Sequence, residues 1–112
     1  MPDSAPLREP TFFILTALLP GALHGYGIIK AVEEMSDGRV RLRAGTLYAA
    51  LERLEKSGCV TLDREVSEGG PPRRYYRLTP AGVALLEAEE RRLADNAKLV
   101  RDGLRRARPR PA

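Results

Sequence analysis

The chain has 112 residues, 19 of them Lys or Arg and 15 Asp or Glu, for a net charge of +4. That length holds one domain with a single modest core, and the lone Cys59 excludes an internal disulfide and fits a reducing cytoplasm. One histidine, one cysteine, no Gly-rich phosphate loop and carboxylates spread over solvated helix faces leave no constellation for catalysis or a metal, and no cofactor is expected.

The charge is unevenly placed. Met1 to Gly38 holds 2 basic and 5 acidic residues, a net of −3; Arg39 to Arg77 holds 9 and 5, a net of +4; Leu78 to Ala112 holds 8 and 5, a net of +3. Positive charge concentrated on the middle and end of a chain is the footprint that binding to phosphate requires.

Residues 1 to 9 are polar and carry two prolines, the composition of a loose arm. Pro10 suits the first position of a helix in which Phe13, Ile14, Ala17 and Leu18 share a face, down to a stop at Pro20-Gly21. The apolar run Phe12 to Leu19 is too short to span a bilayer, and its acidic flank is wrong for a signal peptide, so a soluble cytoplasmic protein is expected, with no membrane partner. A second helix is predicted from Gly25 to Met35, with Ile28, Ile29, Val32 and Met35 as its apolar stripe. Arg39 to Arg43 alternates arginines with Val40 and Leu42, the period of a short strand.

The third helix is expected from Ala44 to Ser57, with Gly58 as its C-terminal glycine. Leu47, Leu51 and Leu54 face the core, while Thr46, Ala49, Glu52, Arg53 and Lys56 lie on the opposite side. Val60, Leu62, Arg64 and Val66 then alternate with Thr61, Asp63 and Glu65 as a half-buried strand. Ser67 to Pro72 turns, and Arg73 to Leu78 returns. A helix with a polar outer face, followed by a hairpin whose tip carries paired arginines, is suited to reading double-stranded DNA. The helix lies in the major groove and the loop reaches the backbone.

Thr79-Pro80 supplies an N-cap and first-turn proline for a long last helix, with an Arg/Pro-rich tail from Arg105 expected to fray. Val83, Leu86, Glu90, Leu93, Ala97, Val100 and Leu104 recur at steps of three and four, a heptad seam broken only at Glu90. Such a seam at a chain end fits docking against a second copy. The expected organisation is a DNA-binding domain over 10–78 and a dimerisation helix over 79–107. Glu90 is either solvated or lines an intersubunit cavity that would face a polar or cationic ligand.

Four motifs in order resemble the PadR-type transcriptional regulators: His24-Gly25-Tyr26-Gly27, Gly45-Thr46-Leu47-Tyr48, Leu54-Glu55-Lys56-Ser57-Gly58 and Arg74 through Gly82. The resemblance covers Phe12 to Leu104 and points to the short members with a single terminal helix. It implies an α+β winged helix-turn-helix, three helices plus a β-hairpin wing, with a C-terminal dimerisation helix. Such proteins usually repress genes by binding a palindromic operator, and many release it when a small-molecule effector binds. Ala49 stands where the family often has proline, and Cys59 where it often has an aliphatic residue. The chain has no tryptophan for stacking a flat ligand, leaving Phe12, Phe13 and the four tyrosines for that role.

With the motifs matched, the expected DNA-binding set is His24, Gly25, Tyr26, Arg43, Thr46, Tyr48, Ala49, Arg53, Lys56, Arg73 and Arg74. His24 is expected to cap the second helix. Thr46 either caps the third helix or contacts phosphate. Tyr48 either touches the DNA backbone or packs half-buried, and Cys59 is expected to be a small buried hydrophobe. Arg73 and Arg74 should point oppositely by strand alternation. The rival reading is a winged-helix adaptor that docks on protein and binds no DNA, for which Glu52 on the reading face leaves room.

Overall fold

The computed structural model describes residues 6–108, so the segments 1–5 and 109–112 of the expected arm and tail lie outside the described residues. The elements run α1 (Glu9–Ala17), β1 (Leu23–His24), α2 (Gly25–Met35), α3 (Ala44–Lys56), β2 (Val60–Val66), β3 (Arg73–Leu78) and α4 (Pro80–Ala107). Three short helices and a small sheet enclose one core, from which α4 projects; 28 residues of helix are roughly 42 Å long.

Helix ends follow their capping chemistry closely. At the end of α3, the Gly58 N–H bonds the Glu55 carbonyl and the Cys59 N–H bonds the Leu54 carbonyl, with Gly58 at φ +80°. This is the paired closure that a left-handed glycine permits. The end of α2 is built the same way, with Asp37 at φ 52° taking the left-handed position and Gly38 bonding back to Glu33. At the start of α4 the Thr79 hydroxyl accepts from the Gly82 N–H at 3.1 Å and donates to the Gly58 carbonyl. One side chain therefore joins the N-terminus of α4 to the C-terminal closure of α3.

The core is deepest at Ile14, Leu15, Ile28, Val32, Leu47, Leu51 and Val60. Leu15 and Ala50 join it although the periodic reading passed over them. Met35, expected in the apolar stripe, is exposed because α2 closes at that residue and Ser36 turns inward instead. α1 stops at Ala17, three residues before the proline, with Leu18 as its C-cap.

The predicted strand at Arg39 to Arg43 does not form. Val40 donates to and accepts from the Ser36 hydroxyl, so its backbone groups are satisfied locally and no neighbouring strand is recruited. The burial alternation nevertheless holds, with Leu42 buried and the three arginines exposed. Arg105 to Ala107, expected to fray, continue α4 as helix.

The sheet is antiparallel with order β1-β3-β2. Leu62 sits opposite Tyr76 but Arg64 sits opposite Tyr75, so Asp63 is an extra residue, a β-bulge. The bulge breaks the clean alternation expected of β2 and places Arg64 with Asp63 and Arg77, which form a charged cluster at 2.8 and 3.2 Å.

Gly82 lies where α4 crosses the end of β2. A Cβ there would overlap the Cys59 carbonyl and press on Leu78. Gly82→Ala should therefore destabilise by about 1–3 kcal/mol, read as a lower urea midpoint at unchanged slope; an unaltered midpoint would mean that α4 can move off β2 freely.

Candidate nucleic-acid interface

Three separate motifs converge on one cleft of about 480 Å³, lined by His24 of β1, Gly25 and Tyr26 of α2, Tyr48 of α3, and Pro72, Arg73 and Arg74 at the loop end of the wing. The strand β1 makes this possible. Its two residues pair Leu23 with Tyr76 and His24 with Tyr75, fixing the start of α2 beside β3. No sequence pattern announced β1, since two residues carry no readable period.

His24 caps α2 as expected, Nδ1 accepting from the Gly27 N–H at 3.1 Å. Its ring stands edge-on to Tyr75, 5.2 Å between centroids, and stacks loosely with Tyr26. On the far side of Tyr75 the Arg64 guanidinium lies 4.0 Å from the ring centroid, a cation–π contact. The capping histidine thus has two aromatic neighbours, Tyr75 and Tyr26. Tyr26 itself is 71% exposed.

Tyr48 is half-exposed, and its hydroxyl rests against the α-carbon of Gly25, where any Cβ would overlap it. Glycine at position 25 is what allows α2 and α3 to approach this closely. Beneath the cleft Tyr76 is buried; burial pushes its hydroxyl above its usual pKa, and Arg74 opposes that shift. Thr46 does not cap α3. The N-cap is Arg43, without a side-chain hydrogen bond, and Thr46 is exposed in the first turn.

The basic side chains fall into two groups. Arg39 pairs with Glu9 at 3.0 Å, Arg41 with Glu33 at 3.9 Å and Arg74 with Glu65 at 3.4 Å. Among the described residues, Arg43, Arg53 and Arg73 have no carboxylate within 4.0 Å and are exposed. Both Arg73 and Arg74 line the cleft, so the expected opposition of their side chains does not keep either away from it. Ala49, Glu52, Arg53 and Lys56 form the exposed side of α3, with Lys56 3.8 Å from Glu52.

A second surface lies along α4. Val83, Leu93, Val100 and Leu104 are exposed, Val100 by 61%, and Ala97 lies among them. Leu86 is different: it is 6% exposed and belongs to the core of its own chain, so α1 has already taken that position of the seam. Glu90 is exposed beside a largely apolar groove of about 410 Å³ formed with Phe12, Thr16, Leu19, Leu86, Leu93 and Ala94. The neighbouring Glu89, which the sequence reading did not single out, is buried, paired to Arg92 and accepting from the Leu7 N–H at 3.4 Å. No helix among the described residues is long and apolar enough to cross a membrane.

Comparison with known proteins matches residues 14–88 to the model of the transcriptional regulator PadR-like family. The chain belongs to that family. The chain is 46% identical over 87 residues to a 37.1 kDa protein in transposon TN4556 of Streptomyces fradiae, covering 78% of this chain and 24% of that one. It is 41% identical over 71 residues to the transcriptional regulator Rv3488 of Mycobacterium tuberculosis, covering 63% of this chain and 65% of the relative. The match therefore spans less than two thirds of either relative.

A PadR family transcription regulator from Clostridium difficile superposes with TM-score 0.72 at 25% identity, over 87% of this chain and 99% of that one. Bacillus subtilis PadR, solved in complex with operator DNA, superposes with TM-score 0.63 at 26% identity, over 93% of this chain and 51% of that one. The PadR winged-helix fold is thus the fold of this chain.

The cap and the ring stacking separate cleanly by substitution. His24→Ala should cost about 1 kcal/mol, and His24→Asn should recover most of it because asparagine is an equally good cap. Thermal denaturation of the pair checks this; an asparagine variant no better than alanine would place the contribution of His24 in its ring contacts.

Proposed function

We propose that this chain binds double-stranded DNA as a homodimer and regulates transcription, each subunit placing α3 in one major groove while the wing holds the flanking backbone. The observation that carries the reading is the single cleft in which the start of α2, Tyr48 of α3 and Arg73 and Arg74 at the loop end of the wing meet. Arg73 supplies a cation in the cleft, Arg43 and Arg53 are further exposed cations without a carboxylate partner among the described residues, and the positive end of the α2 dipole suits an anion. Thr46 and Tyr48 contribute hydroxyls to the backbone contact, with Ala49, Arg53 and Lys56 nearest the base edges.

Dimerisation uses the exposed stripe of α4, chiefly Val83, Leu93, Ala97, Val100 and Leu104. Two-fold symmetry then implies a palindromic operator whose half-sites lie about one helical turn, or a multiple of it, apart. The family relationship and the operator-bound Bacillus subtilis relative support this reading. By the same relationship the protein acts as a repressor in the cytoplasm and releases its operator when a small-molecule effector binds.

Phosphate contacts dominate the affinity in this scheme. With about six to ten per dimer, binding to mixed-sequence duplex should fall roughly 10³- to 10⁵-fold between about 50 and 200 mM salt. An adaptor that docks on protein alone would show little affinity at either concentration, and that result would replace the DNA-binding reading.

Arg74→Ala should weaken binding similarly across sequences and flatten the salt slope by about one; an unchanged slope removes Arg74 from the phosphate contacts. Leu93→Glu puts a charge into the α4 stripe and should shift sedimentation from dimer to monomer. A dimer that survives the substitution would locate the interface elsewhere.

A further inference from the structure

The exposed side of α3 holds a feature that the fold itself does not explain. Gly45 is the second residue of the helix, and an added Cβ would meet nothing within 4 Å. Its φ is not in the left-handed region, and glycine is a poor helix former at a place where a Cβ has open space. Among the described residues no contact requires position 45 to lack a side chain.

Gly45, Ala49, Glu52 and Lys56 follow one another at steps of four, three and four, so they form a single row on the face opposite Leu47, Leu51 and Leu54. The first half of that row carries at most a methyl group. Its second half carries a carboxylate, with the Lys56 ammonium 3.8 Å away. A helix whose leading row is nearly bare can approach a groove floor closely. Within that row the first long side chain to reach the floor is then Glu52, alongside Arg53 and Lys56.

An ionised carboxylate only accepts hydrogen bonds. Set against a polyanion, it is unfavourable unless it meets a donor, and Lys56 beside it offsets only part of the repulsion. The donors on the major-groove floor are the exocyclic amino groups, N4 of cytosine and N6 of adenine; guanine O6 and thymine O4 are acceptors that a carboxylate rejects.

Resting on the DNA-binding reading above, we propose that Glu52 is a specificity-determining residue: Gly45 and Ala49 admit α3 deeply into the major groove, and the Glu52 carboxylate accepts from a base amino group. The carboxylate discriminates mainly by excluding bases that face it with an acceptor. It adds little to affinity and much to selection.

The test is selection of bound sequences from random duplexes, run with the wild-type chain and with Glu52→Ala, alongside Gly45→Leu. Wild type should enrich cytosine or adenine at one symmetry-related pair of positions, and the selected base tells which amino group is used. Glu52→Ala should lose about tenfold of that preference and leave the other positions unchanged. Gly45→Leu should melt at or above the wild-type temperature, because a Cβ there meets nothing within 4 Å and leucine is the better helix former, yet bind the selected duplex at least about tenfold more weakly. Identical preferences for wild type and Glu52→Ala, or full affinity in Gly45→Leu, would overturn the inference while leaving DNA binding intact. A wild-type chain that retains no duplex even in dilute salt would overturn both.

Discussion

The pairing of Leu23 and His24 with Tyr76 and Tyr75 is the constraint on which the rest of the interface depends. β3 is the central strand, held by β2 on one side and by this two-residue edge on the other. Because α2 begins at the next residue, the edge strand transmits the position of the wing directly to the start of α2. His24 closes the arrangement from both directions: its backbone belongs to the ladder and its imidazole caps the helix. Gly25 then lets Tyr48 lie across the junction, bringing α3 into the same corner. A strand of two residues is a weak element alone, but here it adds a short ladder to a sheet that already exists.

The arrangement of charge complements that geometry. Carboxylates pair with Arg39 and Arg41, whereas among the described residues Arg43, Arg53 and Arg73 are exposed with no carboxylate within 4.0 Å, and Arg73 lines the cleft. Arg64 and Arg77 gather at the Asp63 bulge, and Arg64 lies over the Tyr75 ring, so these two serve the sheet. Surface pairs of this kind contribute little to stability. Their effect here is on availability, since a tied arginine must give up a partner before it meets another anion.

α4 illustrates how one helix serves two environments. Its first turns belong to the core, with Gly82 against the Cys59 backbone and Leu86 buried. Buried Glu89, joined to Arg92 and to the Leu7 N–H, ties the chain segment before α1 to the same helix. Beyond Ala94 the described residues of the helix are almost all exposed, Val100 and Leu104 among them. Apart from Glu90 the heptad pattern runs on across this boundary, so periodicity could not show where intramolecular packing ends.

The sequence by itself determined every element whose ends carry strong local chemistry. The bounds of α2, the closure of α3 at Gly58, the Thr79 cap and the two wing strands all follow from side chains acting on their own backbone. The periodicity of Leu47, Leu51 and Leu54 likewise identified which side of α3 is free, and the four motifs identified the family. Only tertiary structure decided whether an extended segment finds a partner. Arg39 to Arg43 has a strand's alternation but spends the hydrogen bonds of Val40 on Ser36, while Leu23-His24 has no pattern and becomes a strand because β3 offers it an edge. The bulge at Asp63, the burial of Leu86 and Glu89, and the meeting of Gly25 with Tyr48 share that origin. Each depends on residues far apart in the chain, whose proximity the packed fold alone creates.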